Sequence, residues 1–303
     1  MEMASLVSVV IPTYNRWPML REAIGSVLDQ SYKGFELIVV DDGSEDGTVQ
    51  KLMCYSSVLR VVFQPRRGVA AARNLAVRHS SGRYLAFLDS DDLWQPKKLE
   101  TQVAFMEMHP QVQVCQTDEI WIRNGVRVNP KKRHRKPSGE IFRASLDLCL
   151  VSPSAVMITR ELFEKVGGFD EAFTVCEDYD LWLRIALDTP VPLIPEPLVI
   201  KRGGHRDQLS RSMWGLDRFR VLALKKLLDA GLQGEKRQWV IEALANKVAI
   251  LANGARRRDK EGEALSYESL LSEFIEEIIH DRSADHNLQQ GKGVSQTNAG
   301  ALA

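Results

Sequence analysis

Residues 85–92 read Leu-Ala-Phe-Leu-Asp-Ser-Asp-Asp. A run of apolar residues with strand character leads directly into Asp89, Ser90, Asp91 and Asp92, so carboxylates emerge where a buried strand ends. Three carboxylates within four residues repel one another unless water, basic side chains or a cation offsets their charge, and hard divalent cations take oxygen ligands of this kind. A solvated acidic turn capping the next helix is the alternative for this stretch taken alone, with Asp92 placed for it.

Outward from this run, short apolar stretches at residues 6–11, 35–40, 59–63 and 84–88 are partly β-branched or aromatic and bounded by Pro, Gly, Asp or Ser. They read as buried strands. Segments with helical spacing lie between and after them, over residues 17–30, 47–53, 68–79 and 96–108. Alternation of this kind implies a parallel sheet covered on both faces, with ligands bound beyond the carboxyl ends of its strands. Those ends carry Thr13 to Asn15, Asp41 to Ser44, and Asp89 to Asp92, three polar clusters on one edge.

Past residue 110 the pattern is mixed. Residues 112–117 and 120–128 read as strands with a hairpin turn at Asn124-Gly125. Residues 151–159 read as a further strand, 176–187 as a helix, and the proline-rich 190–202 as an edge strand. Residues from 214 to about 280 read as almost wholly helical, and from 283 the chain is polar and rich in Gly, Asn, Gln and Ser, the composition of a disordered tail.

Composition narrows the function classes. The 303 residues carry 40 basic and 40 acidic side chains, so no global field draws the chain to nucleic acid. Cys54, Cys115, Cys149 and Cys176 form neither a CxxC pair nor a Cys/His cluster, which argues against zinc or a disulfide framework and for a reducing cytosol. The start, MEMASLVSVVIP, has no positive leader, and no stretch approaches the roughly 20 apolar residues that span a bilayer. The expectation is a cytoplasmic protein, at most peripheral at the inner face of the membrane.

VVIPTYNR (9–16), VVDDGS (39–44), GVAAARN (68–74), FLDSDD (87–92) and CEDYDLWLR (176–184), in this order, resemble the family 2 glycosyltransferases over about residues 6 to 210. The resemblance implies an α/β GT-A (nucleotide-diphospho-sugar transferase) fold, with a mixed, mainly parallel central sheet flanked by helices. A C-terminal helical extension follows it. The expected domains are a transferase domain over 1–212, with a nucleotide-binding half to about 110 and an acceptor half over 111–212, then the helical extension over 213–281 and a tail over 282–303. The implied activity is inverting transfer of a sugar from a nucleotide-diphosphate donor, with a divalent metal, Mn2+ or Mg2+.

The resemblance distributes roles over residues whose own chemistry suits them. Pro12, Thr13, Tyr14 and Asn15 would line the wall for the nucleotide base, unless they form a plain strand-to-loop turn. Asp42 would accept the N3–H of uracil or thymine, hence a UDP or dTDP donor; an Asx turn is the alternative. Arg73 would reach base or phosphates by charge-assisted bonds, a role Arg66 or Arg67 could share. Asp91 would be the direct metal ligand, Asp89 would lie toward ribose or metal with Ser90 between them on the donor side, and His205 would complete the metal site. Asp178 would be the base that takes the acceptor's proton. Gly168, Phe169, Glu177 and Trp182 would lie on the acceptor side, and the glycines at 203 and 204 suit a closing loop with Arg202, Arg206 or Arg211.

The KKRHRK run at 131–136 is either a solvated loop or a patch for an anionic membrane or a lipid-pyrophosphate acceptor, through Lys131, Lys132, Arg133, Arg135 and Lys136. No aromatic platform accompanies it, so nucleic acid is not expected. The acceptor would be a hydroxyl on a glycan or lipid-linked saccharide. Two other classes stay open: a sugar-nucleotide-binding module without turnover that docks a partner, and a nucleotidyltransferase. The second would want a Gly-rich basic loop after the first strand, where this chain has PTYNRWP.

Overall fold

The computed structural model describes residues 6–205, 215–272 and 274. The chain divides into two compact units, Met1–Ala223 and Leu224–Ala303.

In the first unit, strands β1 (Val7–Thr13), β2 (Phe35–Asp41), β3 (Arg60–Phe63) and β4 (Tyr84–Phe87) run parallel in the order β3-β2-β1-β4. Every residue of β1 is buried, because helices cover both sheet faces, and such strands read as unbroken apolar runs rather than alternating ones. The helices are α1 (Trp17–Leu28), α2 (Thr48–Met53), α3 (Val69–Arg78) and α4 (Lys98–Met108). Leu20, Ile24 and Val27 of α1 join Leu99, Val103 and Met106 of α4 on Val7, Val9 and Ile11 in one core. Phe87 packs instead with Phe163 and Phe169 at ring separations of 5.7 and 5.3 Å. Register places Thr13 beside Asp41, so β1 and β2 end level and release their polar loops together.

The sheet continues through β8 (Val156–Thr159), β6 (Val114–Arg123), β9 (Leu193–Gly203) and β5 (Leu93–Trp94), with β7 (Val126–Val128) paired to β6. Asn124 and Gly125 adopt φ of 48° and 78°, as a two-residue hairpin turn between β6 and β7 requires. Two expectations change here. The two strands expected over 112–128 are one long strand plus the short β7, and the apparent break is a register shift around Asp118. The proline-rich segment is not an edge, since β9 lies between β6 and β5. Its Pro195 and Pro197 fall at that same irregularity, where a missing N–H breaks no regular ladder. The edge strand is β5, too short to leave a periodic signal.

Helices α5 (Phe142–Ser145), α6 (Arg160–Lys165) and α7 (Glu177–Ala186) complete the second half of this unit. Helix α8 (Asp217–Asp229) crosses the division between units, followed in the second unit by α9 (Gly234–Arg256) and a helix over 261–272. Ala264 and Tyr267 pack on Ala252 and Ala255, while Arg256 pairs with Glu261 and Glu268. The expected tail over 282–303, and Arg206 and Arg211, lie outside the described residues.

Candidate active site

The loops that leave β1 and β2 are laced to each other. Asn15, at φ 49°, donates its backbone N–H to Ser44 Oγ (2.8 Å) and accepts from Glu45 N–H (2.7 Å) through its side chain. Asparagine tolerates this left-handed backbone better than most residues. The Asx turn belongs to Asp41, whose Oδ1 accepts from the N–H groups of Gly43 and Ser44 at 3.1 and 2.8 Å. That leaves Asp42 for another task. Its Oδ1 accepts from Gln64 Nε2 (2.7 Å) and Arg67 N–H (2.8 Å), and its Oδ2 from Gly68 N–H (2.9 Å). A carboxylate offers about four acceptor directions; among the described residues three of them clamp the loop into α3, which leaves one on Oδ2. Next to it the Arg66 guanidinium stacks 3.6 Å from the centre of the Tyr14 ring. Pro12 and Thr13 are buried below.

At the end of β4, oxygens of Asp89, Asp91 and Asp92 lie within 4.8 Å of one another. Each carboxylate has a different setting. Asp89 Oδ1 pairs with Arg73 at 2.7 Å. Asp91 Oδ2 is 3.3 Å from Arg16 Nη1 and 2.9 Å from His205 Nε2. Asp92 is buried and accepts from Ser154 Oγ (2.7 Å) and from Arg202 N–H (2.9 Å). The capping role considered for Asp92 is therefore not what it does: β5 follows it, α4 starts only at Lys98, and Asp92 instead ties the end of β4 to β9. Burial pushes Asp92 well above the usual carboxylate range, against the pull of Lys201. Ser90 is buried between its acidic neighbours. Carboxylate oxygens at this spacing with an imidazole nitrogen against Asp91 are a donor set that fits a hard divalent cation.

Helix α7 brings the second pair of acids. Cys176, at φ 63°, turns the chain into it. Glu177 is 6 % exposed and pairs with Arg73 at 2.6 Å, while Asp178 is half-buried and its Oδ2 accepts from the Cys149 thiol at 3.4 Å. Arg73, 3 % exposed, thus bridges Asp89 to Glu177 and links the acidic run to the start of α7. Burial, opposed by Arg73 and reinforced by Asp178, pushes Glu177 up to about 7.

Gly168 and Phe169 are held from two sides. Asn74 donates to Phe169 O and accepts from Phe169 N–H, and Arg184, paired with Asp180, donates to Gly168 O at 2.7 Å. Phe169 and Trp182 are each 2 % exposed and meet edge to face with ring centres 6.4 Å apart, so both are packed in the interior.

Three charged residues near the acids were not singled out by sequence: Arg16, Lys201 and Glu119. Lys201 sits in β9 and donates to Ser152 Oγ at 2.8 Å. Burial opposes its charge, but Glu119, then Asp92, Asp89 and Asp178, hold it protonated above the ordinary lysine range. Burial likewise works against Glu119, which Lys136 and Lys201 hold down at about 2. A lysine interrupting the apolar run LVIKR was the one available signal. The basic run is corrected by the same network. Lys136 turns inward to Glu119 (3.2 Å) with 6 % of its side chain exposed, because Glu119 would otherwise be a buried unpaired charge. Lys131, Lys132, Arg133 and Arg135 remain on the surface.

No helix among the described residues is long and apolar enough to cross a membrane.

Comparison with known proteins places this geometry. The family model for glycosyl transferase family 2 matches residues 8–167. An uncharacterized glycosyltransferase of Rickettsia typhi, RT0329, is 30% identical over 236 residues, 73% of this chain and 72% of that protein. An Escherichia coli protein, the UDP-Glc:alpha-D-GlcNAc-diphosphoundecaprenol beta-1,3-glucosyltransferase WfgD, is 34% identical over 191 residues, 62% of this chain and 73% of its own length. Other curated relatives from Rickettsia are matched over as little as 26% of their length. Among solved structures, S. aureus TarS 1-349 in complex with UDP-GlcNAc superposes with a TM-score of 0.61 at 17% identity, covering 87% of this chain and 90% of that one. The chain belongs to glycosyl transferase family 2 and is a glycosyltransferase of GT-A fold.

Proposed function

We propose that this glycosyltransferase moves a sugar, with inversion, from a UDP- or dTDP-sugar to a hydroxyl on a glycan or lipid-linked saccharide, with Asp178 as the base. The observation that supports the reading is the Asp89–Arg73–Glu177 bridge, which ties the start of α7, where Asp178 follows Glu177, to the acidic run at the end of β4. Tyr14, Asn15 and the remaining acceptor direction on Asp42 Oδ2 would take the base, within a nucleotide-binding half to about residue 110. Asp91, Asp89 and His205 would hold Mn2+ or Mg2+, which when bound neutralises charge on the departing diphosphate. The acceptor hydroxyl gives its proton to Asp178 as its oxygen bonds to the anomeric carbon. The bond from that carbon to the β-phosphate oxygen breaks, and the nucleoside diphosphate leaves with the electron pair.

The acceptor half over 111–212 rests on the buried Phe169 and Trp182, with Gly168 and Glu177 shaping that side. The acceptor class follows WfgD, whose name gives a saccharide on a lipid diphosphate. The exposed Lys131, Lys132, Arg133 and Arg135 would suit the anionic surface where such an acceptor resides. Of the extension expected over 213–281, residues 217–229, 234–256 and 261–272 are helical.

The test is release of nucleoside diphosphate from a panel of nucleotide sugars with and without Mn2+. Metal-dependent release excludes a module that only binds. Asp178→Asn should lower kcat by about a hundredfold or more while leaving UDP affinity within about threefold. Full activity in Asp178→Asn would remove the base from this residue.

A further inference from the structure

The acidic run is already accompanied by protein cations. Arg73 lies 2.7 Å from Asp89, Arg16 lies 3.3 Å from Asp91, and Lys201 is held protonated by Glu119 first and then by Asp92 and Asp89. These three cations come from different parts of the fold. Arg73 is 3 % exposed and has a second carboxylate, Glu177, at 2.6 Å. Lys201 belongs to a strand paired on both sides and donates to Ser152. Arg16 comes from the short loop between β1 and α1, beside the exposed Asn15, and its pair with Asp91 leaves 14 % of each side chain accessible. The carboxylate oxygen that Arg16 faces is the one His205 also faces. A guanidinium and a divalent cation at one carboxylate oxygen repel each other, so whatever loads there competes with Arg16.

We propose that Arg16 is the resident counter-cation of Asp91 in the metal-free protein and passes from Asp91 to the donor's diphosphate as the metal takes its place. The proposal rests on the reading of Asp91 as the metal ligand. Two things follow from the chemistry. With Arg16 on Asp91, a metal ion alone meets a carboxylate that is already neutralised. Once displaced, the guanidinium needs an anion within reach of the β1–α1 loop, and a diphosphate accepts the fork of guanidinium N–H groups well. Metal and donor are therefore loaded together, and Arg16 is a positioning residue for that step.

The experiment measures Mn2+ binding by electron paramagnetic resonance, with and without UDP, and UDP binding by calorimetry at saturating Mn2+, in the full chain and in Arg16→Gln, Arg16→Lys and Asp91→Asn. Arg16→Gln should tighten Mn2+ binding in the absence of UDP by about fivefold, since a partly exposed ion pair no longer competes. The same variant should weaken UDP binding at saturating Mn2+ by about tenfold or more, since a charge-assisted bond is lost. Arg16→Lys, which keeps the charge but not the fork, should restore most of the competition with Mn2+ and only part of the UDP affinity. Opposite movement of the two affinities is the signature, because general damage to the loop lowers both. If both fall, or neither moves, while Asp91→Asn abolishes Mn2+ binding, the role of Arg16 is refuted and the metal ligand stands. If Asp91→Asn binds Mn2+ as tightly as the unaltered chain, the ligand reading falls and the Arg16 proposal with it.

Discussion

Replacing Arg73 by methionine tests the central bridge of the site. Arg73 is 3 % exposed, and it lies 2.7 Å from Asp89 and 2.6 Å from Glu177, whose side chains are 28 % and 8 % exposed. Arg73→Met leaves two carboxylates without their shared cation. Water reaches Asp89 and offsets part of its loss, whereas Glu177 has no such relief. Removing one partner of a buried pair costs about 3–5 kcal/mol, and the lower figure suits a site with one half-open partner. For a unit of this size about 1 kcal/mol moves Tm by 2–4 °C, so a fall of about 6–12 °C is expected in thermal unfolding followed by circular dichroism. Protonating Glu177 relieves the same strain. Its carboxyl is raised from an ordinary 4.5 to about 7 by burial, with Arg73 opposing and Asp178 adding. A carboxyl raised in the fold binds a proton that the unfolded chain lacks between those values, so its stabilising contribution is complete below about 4.5 and is lost as pH rises through about 7. The deficit of Arg73→Met should therefore shrink between pH 8 and pH 6. Adding Glu177→Gln in the Arg73→Met background should recover about half of the lost stability or more. A variant that melts within about 2 °C of the unaltered protein, or one that Glu177→Gln fails to rescue, would refute the bridge as an energetic link.

Two further predictions probe the framework around the site. Lys98 is fully buried, lies 3.9 Å over the Trp94 ring and donates to Gln102 at 2.6 Å, and burial pulls it from 10.5 down to about 7. A base depressed in the fold makes stability rise between about pH 7 and 10.5, so Lys98→Met should flatten that slope and stabilise the protein at pH 7 by about 2–4 kcal/mol, read from urea unfolding; an unchanged slope would contradict it. Asp42→Ala removes the acceptor for Gln64, Arg67 and Gly68, and should cost about 2–3 kcal/mol and abolish UDP binding while leaving Mn2+ binding by itself unaltered, as read by calorimetry.

The strands that carry the site were legible because they are buried on both faces. β1, β2 and β4 are runs of apolar residues that stop at polar clusters, and that pattern needs no partner to be recognised. The second half was read less well for a specific reason. The irregularity at Asp118 looks like a strand boundary in sequence, yet β6 continues through it because β9 supplies extra residues, Pro195 among them, on the other side. β5 is two residues long and exists only because β9 is there to pair with it. The basic run illustrates the same limit: six consecutive polar residues carry no mark showing that Lys136 alone meets Glu119 and turns inward.

Local chemistry settled which residue types meet at the sheet edge. Aspartates following a buried strand, an Asp-Asp-Gly turn and an acidic helix start are contained in contiguous residues, so sequence by itself determined the family, the fold class and the candidate acids. The division of labour among those acids was decided by contacts between residues far apart in the chain. Asp41 and Asp42 are neighbours, yet Asp41 forms the turn while Asp42 clamps the loop from Gln64 to Gly68. Asp91 faces Arg16 and His205, Asp92 anchors β9, and Asp89 meets Glu177 only through Arg73. The physical reason is that a carboxylate's role depends on which donors and charges surround it and how far it is desolvated, and those surroundings exist only once the sheet has brought the segments together.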